Sequence, residues 1–316
     1  MNKNIHISVV IPVYGCCNCL EKLHERLNTT LSKLTENFEI IMVNDSSPDD
    51  SWELIKKISN EDSRLKGISL SRNFGQSKAI TAGLDYANGD WIVVMDCDLQ
   101  DQPEEILKLY EKAQAGNDIV VGKRLNRQDS YLKKIRAKVF YIFYNYFTDS
   151  NIDNRVSNFS IISKKVLKAL KKYRESNSAY AHSVNLVGFK RSEIDIEHSE
   201  RVDGKSSYTL KKLINLAIDA IVSQSNKPLS MSIKFGFTIS FFSFCYTIWL
   251  VTKYYLYGVE IAGWTSVMVS IYFIGGLLFV NLGFVGLYIG KIFNETKSRP
   301  LYLIDELTWH NGDSIE

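Results

Sequence analysis

Apolar residues in the first part of the chain follow two alternating patterns. Short β-branched runs, Ile7–Val13, Phe38–Val43, Leu65–Leu70, Trp91–Met95 and Ile119–Val121, predict strands. Between them, apolar positions recur at three and four residues: Leu20, Leu23, Leu27, Leu31 and Leu34; Trp52, Ile55 and Ile58; Ile106, Leu109 and Ala113. That spacing predicts helices with one apolar face. Strand and helix in alternation imply an α/β fold, with a mainly parallel sheet covered on both faces. Ligands of such sheets bind beyond the carboxyl ends of the strands. The polar residues lie there: Tyr14 after the first strand, Asn44-Asp45 after the second, Ser71-Arg72-Asn73 after the third, Asp96-Cys97-Asp98 after the fourth, and Gly122-Lys123-Arg124 after the fifth.

The pattern then changes. Tyr131–Phe147 sets Leu132, Ile135, Val139, Ile142, Phe143 and Tyr146 along one helical side, with Lys133, Lys134, Arg136 and Lys138 at its start. A helix lying on an anionic membrane surface and a core-packed helix with solvated lysines both fit. Leu210–Val222 is a second amphipathic stretch, with Lys211 and Lys212 at its start, and its position before an apolar tail favours the membrane interface. Two apolar stretches follow, about 235–256 and 264–289, each long enough to cross a hydrocarbon core of about 30 Å as a helix. Gly275, Gly276, Gly283, Gly286 and Gly290 in the second permit close helix approach, which makes a homo-oligomer, a tetramer among them, an expectation.

Overall composition hides this division: 45% hydrophobic and 23% charged residues are ordinary globular usage, yet Phe235 to Ile289 carries only Lys253 and Glu260 as charges. The expected organisation is therefore an α/β domain over 1–204, an interface region over 205–232, two spans within 233–291, and a cytoplasmic tail over 292–316. Lys227 and Lys234 precede the spans and Lys291, Lys297 and Arg299 follow them, so the positive-inside tendency sets both ends in the cytoplasm, as a multi-pass protein of the inner (plasma) membrane. No charged-then-apolar signal segment opens the chain, which agrees. A net charge of +3 gives no reason to expect nucleic acid. The cysteines at 16, 17, 19, 97 and 245 are odd in number and lack the spaced pairs of a zinc site, so free thiols are expected.

Asp96 and Asp98 flank one residue directly after a buried strand, where alternate side chains point the same way. Two carboxylates sharing one site repel, and a Mg²⁺ or Mn²⁺ ion relieves that repulsion while bridging to substrate phosphates. Gln100 continues the alternation and adds a carbonyl oxygen, giving the expected metal set Asp96, Asp98 and Gln100. Pro103-Glu104-Glu105 then reads as a helix start. His182 and His198 lie in polar stretches and read as exposed histidines.

Ile11-Pro12-Val13-Tyr14, Val43-Asn44-Asp45-Ser46-Ser47, Ser71-Arg72-Asn73-Phe74-Gly75, Asp96-Cys97-Asp98-Leu99-Gln100-Asp101 and Arg201-Val202-Asp203-Gly204-Lys205-Ser206-Ser207-Tyr208 resemble, in order and spacing, the motifs of family 2 glycosyltransferases. The polyprenyl-phosphate glycosyltransferase subgroup is the most similar, and the resemblance spans nearly the whole chain. It implies a GT-A fold that moves a sugar from a nucleotide donor, with UDP the carrier that the family suggests, to a polyprenyl phosphate such as undecaprenyl phosphate, with inversion. Carried over by position, Pro12, Tyr14, Asp45, Arg72 and Lys78 serve the donor, with Asp96; Asp96, Asp98 and Asp101 are the catalytic acids; and Arg124, Lys134, Arg136, Arg201 and Ser206 face the acceptor or leaving phosphates. The chain departs from the family at Cys16 and Cys17, where an acid is usual, and at Ser157-Asn158-Phe159-Ser160, where Gly-Asp-Phe-Arg is common. Two alternatives remain: a lipid-linked oligosaccharide or polysaccharide acceptor, and a non-catalytic membrane-bound sugar-nucleotide sensor or scaffold.

Overall fold

The computed structural model describes residues 5–124, 146–147, 156–175, 179–196, 222, 225–257 and 263–309. The chain divides into two units, one comprising Met1–Ile135, Asp153–Ser207 and Arg299–Glu316, the other Arg136–Ile152 and Tyr208–Ser298. Among the described residues the first unit holds one sheet of eight strands: β1 (Ile7–Val13), β2 (Phe38–Asn44), β3 (Leu65–Leu70), β4 (Trp91–Val94), β5 (Ile119–Arg124), β6 (Val156–Ser163), β7 (Arg191–Ile196) and β8 (Ile304–Leu307). Their order is β7-β5-β6-β4-β1-β2-β3-β8. The four strands β4, β1, β2 and β3 run parallel, as the strand and helix alternation predicts. The fifth predicted strand is separated from them by β6, which pairs antiparallel with both β4 and β5.

Helices α1 (Cys17–Leu31), α2 (Ser51–Glu61), α3 (Gln76–Tyr86), α4 (Ile106–Gln114), α5 (Lys164–Leu170) and α6 (Tyr180–Leu186) cover the two faces. Strand alternation decides which residue joins which core. Ile7, Val9, Ile11 and Val13 of β1 pack with Leu20, Leu23 and Leu27 of α1, whereas Val10 packs with Ile80 of α3 on the other face. Ser8 is the polar exception on β1; its hydroxyl donates to the buried Glu39 carboxylate at 2.6 Å, and Lys66 Nζ lies 2.7 Å from the other oxygen. A buried acid is tolerable only when partnered in this way.

The tail expected over 292–316 is instead partly structural. Its residues Ile304–Leu307 form β8, antiparallel to β3 at the sheet edge, with Thr308 Oγ1 accepting from Gly67 N at 2.9 Å and Trp52 Nε1 donating to Glu306 at 2.8 Å. The physical reason is that β3 would otherwise be an edge strand with unpaired backbone groups. Ile304 and Leu307 were too short an apolar run to register as a strand.

In the second unit, α7 (Lys227–Tyr257, 31 residues) and α8 (Trp264–Thr296, 33 residues) are each long and apolar enough to cross a membrane, and both extend beyond the predicted spans. Several of their large apolar side chains face outward: Phe237, Tyr272 and Phe279 are about three-quarters exposed, at 74%, 77% and 76%. The two helices meet through a hydrogen bond from Ser232 to Asn281. A Cβ at Gly275, Gly276, Gly283, Gly286 or Gly290 would meet no atom of the described residues, so those glycines do not mediate the contact between α7 and α8. The predicted amphipathic helices fall almost wholly outside the described residues.

Gly83 is the tightest helix-to-sheet approach: a Cβ there would sit 2.4 Å from Val10 Cγ1 and 3.1 Å from Val43 Cγ2. Gly83→Ala is expected to push α3 off the sheet and cost about 1–3 kcal/mol, read as a lower urea midpoint of the detergent-solubilised protein. An unchanged midpoint would mean α3 is not seated as described.

Candidate active site

Parallel pairing delivers the loops after β4, β1, β2 and β3 to one end of the sheet. Asp45 follows β2 and is 3% exposed; its two oxygens accept from Phe74 N at 2.7 Å and Gly75 N at 2.8 Å. Burial pushes its carboxyl upward, opposed by those two N–H groups and by Arg72 and Lys78. The β3 loop is thereby wrapped on a carboxylate, with Gly75 at φ +94°, a conformation that favours glycine.

The β1 loop is tied to the β2 loop in the same manner. Gly15 N donates to Ser47 Oγ at 2.7 Å, Ser47 Oγ donates to Asp49, and Cys17 N donates to the other Asp49 oxygen at 3.1 Å. Burial alone would raise the Asp49 carboxyl, but donors from Ser47, Ser51 and Cys17 outweigh it and hold it below the usual carboxylate range. The free Cys17 thiol moves up, first through burial and then through Asp49, Asp50 and Glu21.

After β4 the acid pair makes separate contacts. Asp96 Oδ1 accepts from Gln76 Nε2 at 2.7 Å, and Asp98 Oδ1 accepts from Gln100 N at 3.2 Å. Leu99 between Asp98 and Gln100 is held at φ +58°, an unfavourable conformation for a large residue. Cys97 is bonded to Cys16, which corrects the expectation that all five cysteines are thiols; Cys17, Cys19 and Cys245 take no part in a disulfide. The cause is strand order: β1 and β4 are neighbours with Val10 opposite Val94, so loops 81 residues apart in sequence emerge side by side.

Of the other predicted site residues, Pro12 is buried within β1 and Tyr14 is 55% exposed at its end. Arg72 is exposed with its guanidinium 4.3 Å from the Phe74 ring centre, and Lys78 is half-buried in the first turn of α3. Asp96, Asp98 and Gln100 are half-buried, whereas Asp101 is 1% exposed and lies beneath the surface. Arg124 ends β5. Lys134, Arg136, Arg201, Ser206 and His198 lie outside the described residues. His182 is half-buried rather than exposed, and burial lowers its imidazole. Sequence reasoning missed the contacts of Gln76 and Asp49, next to recognised motifs, and of Ser47, within one, because their partners are visible only in three dimensions.

No group of three or more His, Cys, Asp or Glu side chains sits together among the described residues. By composition, the Asp96 and Asp98 carboxylates with a Gln100 carbonyl are oxygen donors of the kind that Mg²⁺ or Mn²⁺ would take, with water and substrate phosphates completing the shell.

Comparison with known proteins supplies the family. Residues 8–171 match the family model described as glycosyl transferase family 2. An uncharacterised glycosyltransferase of Bacillus subtilis, YkcC, is 36% identical over 97% of this chain and 95% of its own. The bactoprenol glucosyl transferase of Shigella phage SfX is 35% identical over 94% of this chain and 98% of its own. Among solved structures, glucosyl-3-phosphoglycerate synthase from Mycobacterium tuberculosis, in complex with Mn²⁺, UDP and phosphoglyceric acid, is 15% identical over 69% of this chain and 76% of that one, with a TM-score of 0.49. On the family match and the near full-length relatives together, the chain belongs to glycosyl transferase family 2, and its sheet unit is the GT-A glycosyltransferase domain of that family.

Proposed function

We propose that this glycosyltransferase moves a sugar from a nucleotide donor, UDP-linked, to a polyprenyl phosphate at the cytoplasmic face of the plasma membrane. The observation that carries the reading is the end-to-end correspondence with a protein named bactoprenol glucosyl transferase, in a chain that follows a donor-type α/β domain with two helices long enough to span a bilayer. β8 lies beyond α8 in sequence yet pairs with β3, a return that two crossings would allow. Residues 1–204 together with 299–309 are then the catalytic domain, and 227–296 the membrane anchor.

Within the site, exposed Tyr14 offers a ring for the base, and the loop wrapped on Asp45 shapes the ribose side. Arg72 and Lys78 supply positive charge toward the donor phosphates. Asp96 and Asp98, with Gln100, would hold a Mg²⁺ or Mn²⁺, which supplies charge neutralisation for the diphosphate as the glycosidic bond breaks. A phosphate acceptor is already ionised at neutral pH, so its oxygen attacks the anomeric carbon without a general base. Arg124, Lys134, Arg136, Arg201 and Ser206 are assigned to orient it, which is the larger part of the catalytic task.

Incubation of the purified protein with UDP- and GDP-linked sugars, undecaprenyl phosphate and Mn²⁺, followed by mass spectrometry of the lipid fraction, is expected to yield one sugar on the lipid. No lipid-linked sugar across the panel would overturn the reading, and product carrying many sugars would move the acceptor to an oligosaccharide. Asp96→Ala and Asp98→Ala should each lower turnover by about 10²-fold or more; variants that retain full turnover would point to a sensor or scaffold. Asp45→Ala leaves two backbone donors without an acceptor, and UDP titration calorimetry should show donor affinity weakened about 10- to 100-fold.

A further inference from the structure

Four loops of the donor site are linked to one another in a closed circuit. Ser47 and Asp49 join the β1 loop to the β2 loop, Asp45 joins the β2 loop to the β3 loop, and Gln76 at the start of α3 joins the β3 loop to Asp96. Only the step from the β4 loop back to the β1 loop is covalent, through Cys16 and Cys97. Cys97 is the residue between the two acids, and Cys16 lies two residues beyond Tyr14. Both sulfurs belong to residues 8% exposed, and their Cα atoms are 6.5 Å apart, an ordinary separation for a bridged pair.

We propose that Cys16 and Cys97 form a reversible thiol–disulfide site that sets how tightly the donor pocket is held, the oxidised form binding the nucleotide more strongly. The proposal rests on the reading of these loops as the donor site. Bridges in a reducing compartment are characteristically transient and redox-responsive, and the catalytic domain is assigned to that side. With a hydroperoxide as oxidant, one thiolate attacks the O–O bond and becomes a sulfenic acid as the first oxygen leaves as hydroxide, which a proton converts to water. The second thiolate then attacks the sulfenic sulfur and expels hydroxide, likewise protonated to water. Two thiols and one H₂O₂ give one disulfide and two waters, with two electrons passing from sulfur to oxygen. A dithiol reductant reverses the step by exchange, leaving with its own disulfide. When bridged, the loops carrying Tyr14 and the acid pair are already held together, so less ordering remains for the nucleotide to impose.

The full-length protein in detergent would be treated with H₂O₂ or with a phosphine reductant, and peptide mapping would test for a Cys16–Cys97 cross-link. Amide exchange over 14–19 and 95–101 should be slower in the oxidised form, and UDP with Mn²⁺ should bind it about tenfold more tightly. Cys16→Ser and Cys97→Ser should each abolish both differences, and reduced wild-type protein serves the same comparison should either variant fold poorly. Absence of the cross-link after peroxide, or equal exchange rates in the two forms, would overturn the proposal. Failure of UDP to bind either form would sink the donor-site reading instead, and the exchange comparison would still decide whether the bridge holds the loops.

Discussion

The parallel pairing of β4, β1, β2 and β3 is the constraint on which the rest depends. Parallel strands require a crossover helix between each pair, and every crossover begins at the same end of the sheet. That places the loops after all four strands together, whatever their sequences. What those sequences add is the linkage: a buried carboxylate at Asp45 collecting two backbone N–H groups, an exposed one at Asp49 collecting Cys17 N and two serines, and one at Asp96 held by Gln76. Carboxylates suit this work because each oxygen accepts more than one bond, and charge-assisted bonds are the stronger kind. Asp45 and Asp96 therefore shape the site before any ligand arrives.

Strands and helices of the first half were legible because burial on both faces writes itself into sequence as continuous β-branched runs, and burial on one face as a three-to-four repeat. Leu20, Leu23 and Leu27 all reach the core that the repeat assigned to them. Three features were not legible, for one shared reason. β8 has only Ile304 and Leu307 as apolar residues, the Cys16–Cys97 bridge joins positions 81 apart, and β6 intervenes between two strands adjacent in sequence. Each depends on which strands become neighbours, and neighbour choice is a property of the folded sheet rather than of any local window. The acid pair itself was visible as a motif, but its partner Gln76 was not, because nothing local distinguishes that glutamine from a solvated one.

The C-terminal segment shows how connectivity and sheet chemistry reinforce each other. Just before β8, Tyr302 donates to Asp85 at 2.7 Å, and Arg174 reaches the same carboxylate with both terminal nitrogens. Burial and the Asp85 charge push the Tyr302 hydroxyl above its usual range, so it remains a donor at any physiological pH. These contacts fasten the end of the chain to α3 and to the segment after α5. Without the return of the chain to the sheet, β3 would be left as an open edge strand, and this cluster would be lost with the β3–β8 pairing.

The segment 157–160, where the chain departs from the family pattern, acquires a physical meaning from register. β6 pairs with β4 so that Ser160 stands opposite Val94. The β4 pairing ends there, and Asn158, two residues from Ser160 on β6, shares its face by strand alternation. Phe159 turns to the opposite face and is fully buried, while Ser160 meets the buried Tyr180 hydroxyl at 2.9 Å. Of the four residues, only Asn158 is only half-buried rather than buried. An amide there offers both a donor and an acceptor without charge, whereas a carboxylate in the same place would carry a negative charge and could only accept. Set against the family's usual Asp and Arg, Asn158 and Ser160 remove one charge of each sign while keeping a hydrogen-bonding side chain at both positions.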